Sequence, residues 1–145
     1  MRFLIQRVTR ASVRSAGYTE ASIGVGLVAL IGVSSSDGPR DADYLSDKLV
    51  NLRIFPDAEG KMNLSALDAG AELLLVSQFT LYGDCRKGRR PSFDAAASPA
   101  VARQLYEYVV EKVKEKGLVV RTGVFQAHMD VELINDGPVT LLLET

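Results

Sequence analysis

Cysteine occurs once in this sequence, at Cys85, and histidine once, at His128. A single thiol cannot close an intramolecular disulfide, which excludes a disulfide-stapled secreted scaffold and fits a reducing compartment. One thiol and one distant imidazole, with no carboxylate cluster at ligand spacing, cannot supply a closed zinc site. No apolar run reaches the roughly 18 residues that a membrane span requires. The opening Met1–Arg7 segment breaks its apolar run with charge too early for a signal peptide. The expectation is a soluble cytoplasmic protein with no membrane partner. Excess charge of one sign is also missing, since 17 Lys and Arg face 18 Asp and Glu for a net −1. Charge must therefore be read locally, because a phosphate footprint needs only a local positive patch.

What is present is an ordinary globular composition, 47% hydrophobic and 24% charged over 145 residues, enough for one buried core. No repeat, low-complexity tract or linker divides the chain, so residues 1–145 read as a single domain. Ser98 as N-cap and Pro99 at the first helical position open a helix that ends before Gly117. Val101, Leu105, Tyr108, Val109 and Val113 form its apolar stripe. A second helix runs from about Pro39 to Leu52, with Ala42, Leu45, Leu49 and Leu52 on one face and Asp37 near its start. Short apolar runs at Phe3–Ile5, Leu27–Ile31 and Leu73–Val76 read as strands. His128–Ile134 and Pro138–Leu143, separated by Asn135-Asp136-Gly137, read as a hairpin. Many strands with two main helices predict an α+β fold with a largely antiparallel sheet.

Several familiar signatures fail on context. Gly24-Val25-Gly26-Leu27-Val28-Ala29 matches a dinucleotide fingerprint as a string, but an apolar strand follows where a helix must start. Gly83–Gly88 has the two glycines of a phosphate loop, yet Arg89-Arg90 stand where Lys-Ser/Thr belong. There is no G-x-S-x-G, and a serine triad would have to use His128 as its base. No cofactor is expected.

Three features remain. Ser77-Gln78-Phe79-Thr80-Leu81 follows a strand directly, where polar side chains either line a pocket or satisfy the turn's own backbone. Gly137-Pro138 sits in the expected turn, and proline, lacking an N–H, does not belong inside a central strand. Two stretches are basic without any acid: Arg2, Arg7, Arg10 and Arg14, and then Arg86, Lys87, Arg89 and Arg90. Such local excess suits phosphate or merely a solvated face.

Taken together, these segments resemble the D-aminoacyl-tRNA deacylases. Ser77–Leu81 and Asn135–Thr140 are similar to that family's two signature motifs, and Ile5–Val13, Arg53-Ile54-Phe55, Gly60–Leu64, Arg90–Phe93 and Thr122–Phe125 also match it in order. The resemblance covers essentially the whole chain. It implies a barrel-like core, a homodimer with its site at the subunit interface, and hydrolysis of the ester joining a D-amino acid, or glycine, to tRNA. It further implies that Gly137-Pro138 is cis and enters the partner's pocket as a steric filter against L side chains. Backbone amides near Phe79 and Thr80 would hold the oxyanion, with the tRNA 2′-hydroxyl assisting water, while Ser77, Gln78 and Thr80 shape the pocket. Phe125 and Met129 match the adenosine wall and Arg7 a residue that buttresses the pocket. Arg86, Lys87, Arg89 and Arg90 are candidate tRNA-phosphate contacts. The competing readings are a serine-type acyl hydrolase using Ser77, a non-catalytic tRNA-binding module, and an editing domain for L-aminoacyl-tRNA.

Overall fold

The first strand organises the sheet. In the computed structural model, which covers residues 1–145, β1 runs Arg2–Arg14 and buries Phe3, Ile5, Val8, Ala11 and Val13. It pairs antiparallel with three strands: β2 (Ala21–Ile23), β3 (Gly26–Gly32) and the last strand. From β3 onward the joins turn parallel, first to β6 (Glu72–Ser77) and then to β7 (Val120–Thr122). A parallel pair needs a long crossover. These crossovers are supplied by α1 (Pro39–Asn51), the small β4–β5 ribbon (Phe55–Pro56 with Met62–Leu64) and α2 (Ala66–Ala69), then by α3 (Pro99–Lys114). The α+β reading with a barrel-like sheet and two main helices holds, and the sheet is mixed, with its parallel half beyond β3. No helix is long and apolar enough to cross a membrane.

Alternation along β6 divides the interior in two. Leu73 and Leu75 join the larger core, where α1 offers Ala42, Leu45, Leu49 and Val50 and α3 offers Leu105, Tyr106, Val109, Val110 and Val113. Leu74 and Val76 point the other way, into a smaller cluster with Val8, Ala11, Val13, Ile23 and Val28. Burial on both faces is why β3 and β6 read as unbroken apolar runs. Strand and strand come so close at Gly26 that a Cβ there would lie 1.9 Å from the Glu72 carbonyl oxygen.

Three expectations need correction. Val101 is 42% exposed, so the stripe of α3 begins at Leu105 and takes in Tyr106 and Val110 instead. Ser98 precedes Pro99 as expected but makes no side-chain capping bond. The expected hairpin around Asn135–Gly137 does not form. Residues Asp130–Glu144 are one strand, β8, and both halves pair with β1. Thr140 lies opposite Gln6 and Asn135 opposite Val8, so residues 136–139 bulge out against Arg7 alone. A bulge of this kind re-aims side chains without ending the pairing. Turn residues in sequence cannot distinguish the two outcomes, because both need the same backbone freedom: Gly137 has φ +115°.

Candidate active site

Where β6 ends, the chain builds a wall. Ser77 still pairs with Ile31, and the Gln78 amide donates to the Ile31 carbonyl at 2.7 Å. The chain then winds into a 3-10 turn, Phe79–Tyr82. Gly32 on β3 permits this, since a Cβ there would stand 3.1 Å from both the Gln78 oxygen and the Leu81 Cβ. The turn's first backbone bond runs from Leu81 N to Gln78 O. The Phe79 and Thr80 amides at its start are therefore left without a partner inside the helix. The Gln78 side-chain amide donates to the Thr80 hydroxyl, fixing both side chains.

This wall faces a cavity of about 670 Å³, mostly apolar, at the carboxyl ends of β3 and β6. Ser77, Gln78 and Phe79 line it on one side, and Phe93 packs edge-on against Phe79 with ring centroids 5.0 Å apart. Segment Phe125–Met129 lines another part, with Gln126 in a left-handed conformation at φ 63°. Met129 can lie there because residue 123 is glycine: a Cβ would come within 2.6 Å of its sulfur. Helix α3 adds Pro99, Ala102 and Tyr106. The Tyr106 hydroxyl donates to the Leu75 carbonyl at 2.8 Å, and burial pushes its pKa far above the usual tyrosine value.

Chemically the cavity offers amides, hydroxyls and apolar surface. The Ser77 hydroxyl makes no hydrogen bond to a side chain, and His128, though on the rim, is 98% exposed with Asp130 4.0 Å away as its only charged neighbour. A nucleophile activated by a base needs the two within hydrogen-bond reach. Nor do three His, Cys, Asp or Glu side chains come together anywhere as a metal-binding group.

Of the residues singled out in the sequence, Ser77, Gln78, Phe79, Phe93, Phe125, His128 and Met129 meet at this cavity, while Thr80 does not line it and is tied to it only by the hydrogen bond from Gln78. Arg7, Gly137 and Pro138 do not line it. They form a separate cluster on the β8 bulge. Arg7 is 8% exposed, donates to the Ile54 carbonyl and sits 2.8 Å from an Asp136 carboxylate oxygen. That last contact is coulombic, since the Nε–H is not aligned for a hydrogen bond. Asn135 locks the bulge, accepting from the Val139 amide at 3.0 Å and donating to the Thr140 hydroxyl at 2.7 Å. The Gly137-Pro138 peptide is cis, and both residues are exposed. In the basic loop, Arg86 is engaged by Asp84 through two side-chain bonds of 2.9 and 2.7 Å, while Lys87, Arg89 and Arg90 make no ion pair. Sequence reasoning missed Tyr106 at the cavity and Arg103 beside it, over the ring of Phe125. The only signal for Arg103 was its place on the helix, four residues after Pro99 and three before Tyr106, and Tyr106 follows Ala102 by four.

Comparison with known proteins agrees over the full length. A family model described as D-Tyr-tRNA(Tyr) deacylase matches residues 4–144. A D-aminoacyl-tRNA deacylase of Heliobacterium modesticaldum is 59% identical over 144 residues, covering 99% of this chain and 96% of that protein. One of Geotalea uraniireducens is 58% identical, covering 100% and 94%. Among solved structures, the c-Myc DNA unwinding element binding protein superposes with a TM-score of 0.93 at 38% identity, covering 100% of this chain and 99% of its own. A probable eukaryotic D-amino acid tRNA deacylase superposes at 0.86 with 17% identity, covering 99% and 98%, a likeness of fold.

Proposed function

The chain belongs to the D-aminoacyl-tRNA deacylase family, and from that premise we propose that its cavity receives the aminoacylated 3′ end of tRNA and hydrolyses esters of D-amino acids and of glycine. The enzyme is a hydrolase of the aminoacyl-tRNA ester. In the proposed reaction water adds to the ester carbonyl carbon, the Phe79 and Thr80 amides receive the negative charge on oxygen, and the carbon–oxygen bond to the ribose breaks. The amino acid leaves as the free acid and the ribose oxygen takes up the proton. The neighbouring 2′-hydroxyl of the terminal adenosine assists the water. A preorganised donor of this type contributes on the order of 3–4 kcal/mol to lowering the barrier, and an aminoacyl ester is already activated. The observation that carries this reading is the wall after β6: amides of Phe79 and Thr80 with no backbone partner, and a Ser77 hydroxyl that hydrogen-bonds no side chain.

Ser77, Gln78 and Thr80 then shape the pocket, and Phe125 and Met129 receive the adenosine. Gly137-Pro138 acts as the stereochemical filter from the second subunit of a homodimer. Two facts support that placement. Both residues are exposed and lie off their own chain's cavity. Strand β8 pairs only with β1 and leaves Val131, Ile134, Leu141 and Leu142 between 37% and 50% exposed, an edge that a partner would cover. Backbone atoms pressed against the α-carbon reject an L side chain by clash, which discriminates more sharply than a missing contact. Arg7 holds the bulge in place, and Lys87, Arg89 and Arg90, with Arg86 beside them, meet tRNA phosphates.

The test is hydrolysis of matched D-Tyr-tRNA, L-Tyr-tRNA and Gly-tRNA with EDTA present. Loss of the D and glycyl esters with the L ester intact is expected. Equal cleavage of D and L removes the filter, and tRNA binding without cleavage leaves a binding module. Ser77→Ala is expected to lower kcat about tenfold or less, whereas a true nucleophile would lose several orders of magnitude. Sedimentation at assay concentration checks the dimer; a fully active monomer overturns the cross-subunit site.

A further inference from the structure

Helix α3 faces the cavity with Pro99, Ala102 and Tyr106, one stripe at spacings of three and four. Arg103 flanks that stripe, four residues after Pro99 and three before Tyr106, outside the cavity's own lining but against Phe125, which lines it. It lies over the Phe125 ring, 4.8 Å from the centroid, and Phe125 in turn packs 6.0 Å from Tyr106. Its one carboxylate neighbour is Glu107, a helical turn on, at 3.8 Å, with the two side chains 50% and 62% exposed. That distance is outside hydrogen-bond range, and an exposed pair of this spacing holds the guanidinium only weakly. Arg103 therefore combines a position fixed by an aromatic platform with donors that the fold leaves free.

We propose that Arg103 binds the phosphodiester joining the terminal nucleotide of the bound tRNA to the one before it. The proposal rests on the reading that the aminoacylated end enters this cavity. A nucleoside lying on the apolar wall at Phe125 carries its nearest anion on the ribose 5′ oxygen, outside the cavity mouth. A forked guanidinium beside that wall matches such an anion with two parallel donors. The contact reads backbone and not base, so it contributes affinity common to all tRNAs. It differs from the loop cations Lys87, Arg89 and Arg90, which are set beyond Phe93 on an exposed loop and have no aromatic platform.

The experiment compares two substrates of the full-length enzyme: D-Tyr-tRNA, and the D-tyrosyl ester of adenosine, which has the sugar and base but no phosphate. Arg103→Ala is expected to raise KM for D-Tyr-tRNA roughly tenfold, as for loss of one charge-assisted bond, and to leave the adenosine ester within about twofold. The slope of log kcat/KM against log salt should flatten by about 0.7 for the tRNA substrate. Arg103→Lys should recover part of the loss, keeping the charge without the fork. Equal losses on both esters overturn the proposal and make Arg103 a prop for Phe125, and no loss on either overturns it as well. If the wild type cleaves neither ester, the proposed function itself fails and the phosphate contact falls with it.

Discussion

Strand β1 carries Arg2, Arg7, Arg10 and Arg14, and the loop after the 3-10 turn carries Arg86, Lys87, Arg89 and Arg90; neither Arg2–Arg14 nor Arg86–Arg90 contains an acid. The fold treats them oppositely. Along β1 three of the four cations meet acids supplied by β8: Arg2 with Glu144 at 2.7 Å, Arg7 with Asp136 at 2.8 Å and Arg10 with Glu132 at 3.9 Å. The antiparallel register brings these residues together, placing Arg2 opposite Glu144 and each of the others near its acid. In the loop only Arg86 finds a partner, Asp84, two residues away. The loop is closed at its base by paired backbone bonds between Asp84 and Ser92, which leaves its tip solvated and its remaining cations free. A basic run is thus a binding surface only where the fold has not already engaged it: on β1, Arg2 and Arg7 are held, whereas Arg10, 68% exposed and 3.9 Å from Glu132, and Arg14 are not.

The contrast breaks most visibly at Arg7. Its side chain is 10% exposed, and Arg7→Ala removes the donor to the Ile54 carbonyl and the partner of Asp136 together. We expect a loss of about 3 kcal/mol in chemical denaturation, with activity falling alongside because the bulge loses its anchor. A loss under about 1 kcal/mol would mean the bulge stands without it. The loop should behave in reverse. Reversing Lys87, Arg89 and Arg90 to glutamate should leave stability within about 0.5 kcal/mol while raising KM for D-aminoacyl-tRNA on the order of 100-fold at low salt. Its salt slope should flatten by about two to three. Unchanged tRNA binding and salt dependence after that reversal would return the loop to a solvated surface.

The same contrast marks what the sequence made legible. The chain order of the charges was readable, but their pairing depended on β1 and β8 lying side by side, a contact between the two ends of the chain. Helix periodicity announced α1 and α3 because it is local, whereas the parallel joins of β3, β6 and β7 could not be seen, since register is set by packing. At the site, Ser77–Thr80 were legible as polar residues at a strand end, and Phe125 and Met129 through family resemblance. Tyr106 was hidden as one more apolar helix residue, although its hydroxyl ties α3 to β6. The hairpin misreading has the same origin, because Asn135-Asp136-Gly137 has the chemistry of a turn whether the chain reverses or bulges.

A smaller effect is expected at Arg2, which is 37% exposed, pairs with Glu144 and lies over the Tyr82 ring at 4.6 Å. Arg2→Gln should cost only about 0.5–1 kcal/mol by thermal denaturation, as for other exposed pairs. A loss as large as that at Arg7 would show that burial does not separate the two.

The least disruptive test concerns the one loop cation that is paired. The Arg86 side chain, bonded to both carboxylate oxygens of Asp84, and secondarily the Arg86 backbone amide hold that carboxyl down at about 2, against an ordinary 3.8. A depressed folded value means the pairing is fully present above about pH 3.8 and is lost as pH falls through about 2. Because the pair is solvent-exposed, its loss should loosen the loop without unfolding the protein. Arg86→Gln should move the Asp84 midpoint up toward 3.8, stopping short because the backbone amide at residue 86 still donates. Carboxyl carbon shifts followed through an acid titration would measure both midpoints. An Asp84 midpoint near 3.8 in the wild type would mean that Arg86 is as free as Lys87, Arg89 and Arg90, leaving the loop with four unpaired cations instead of three.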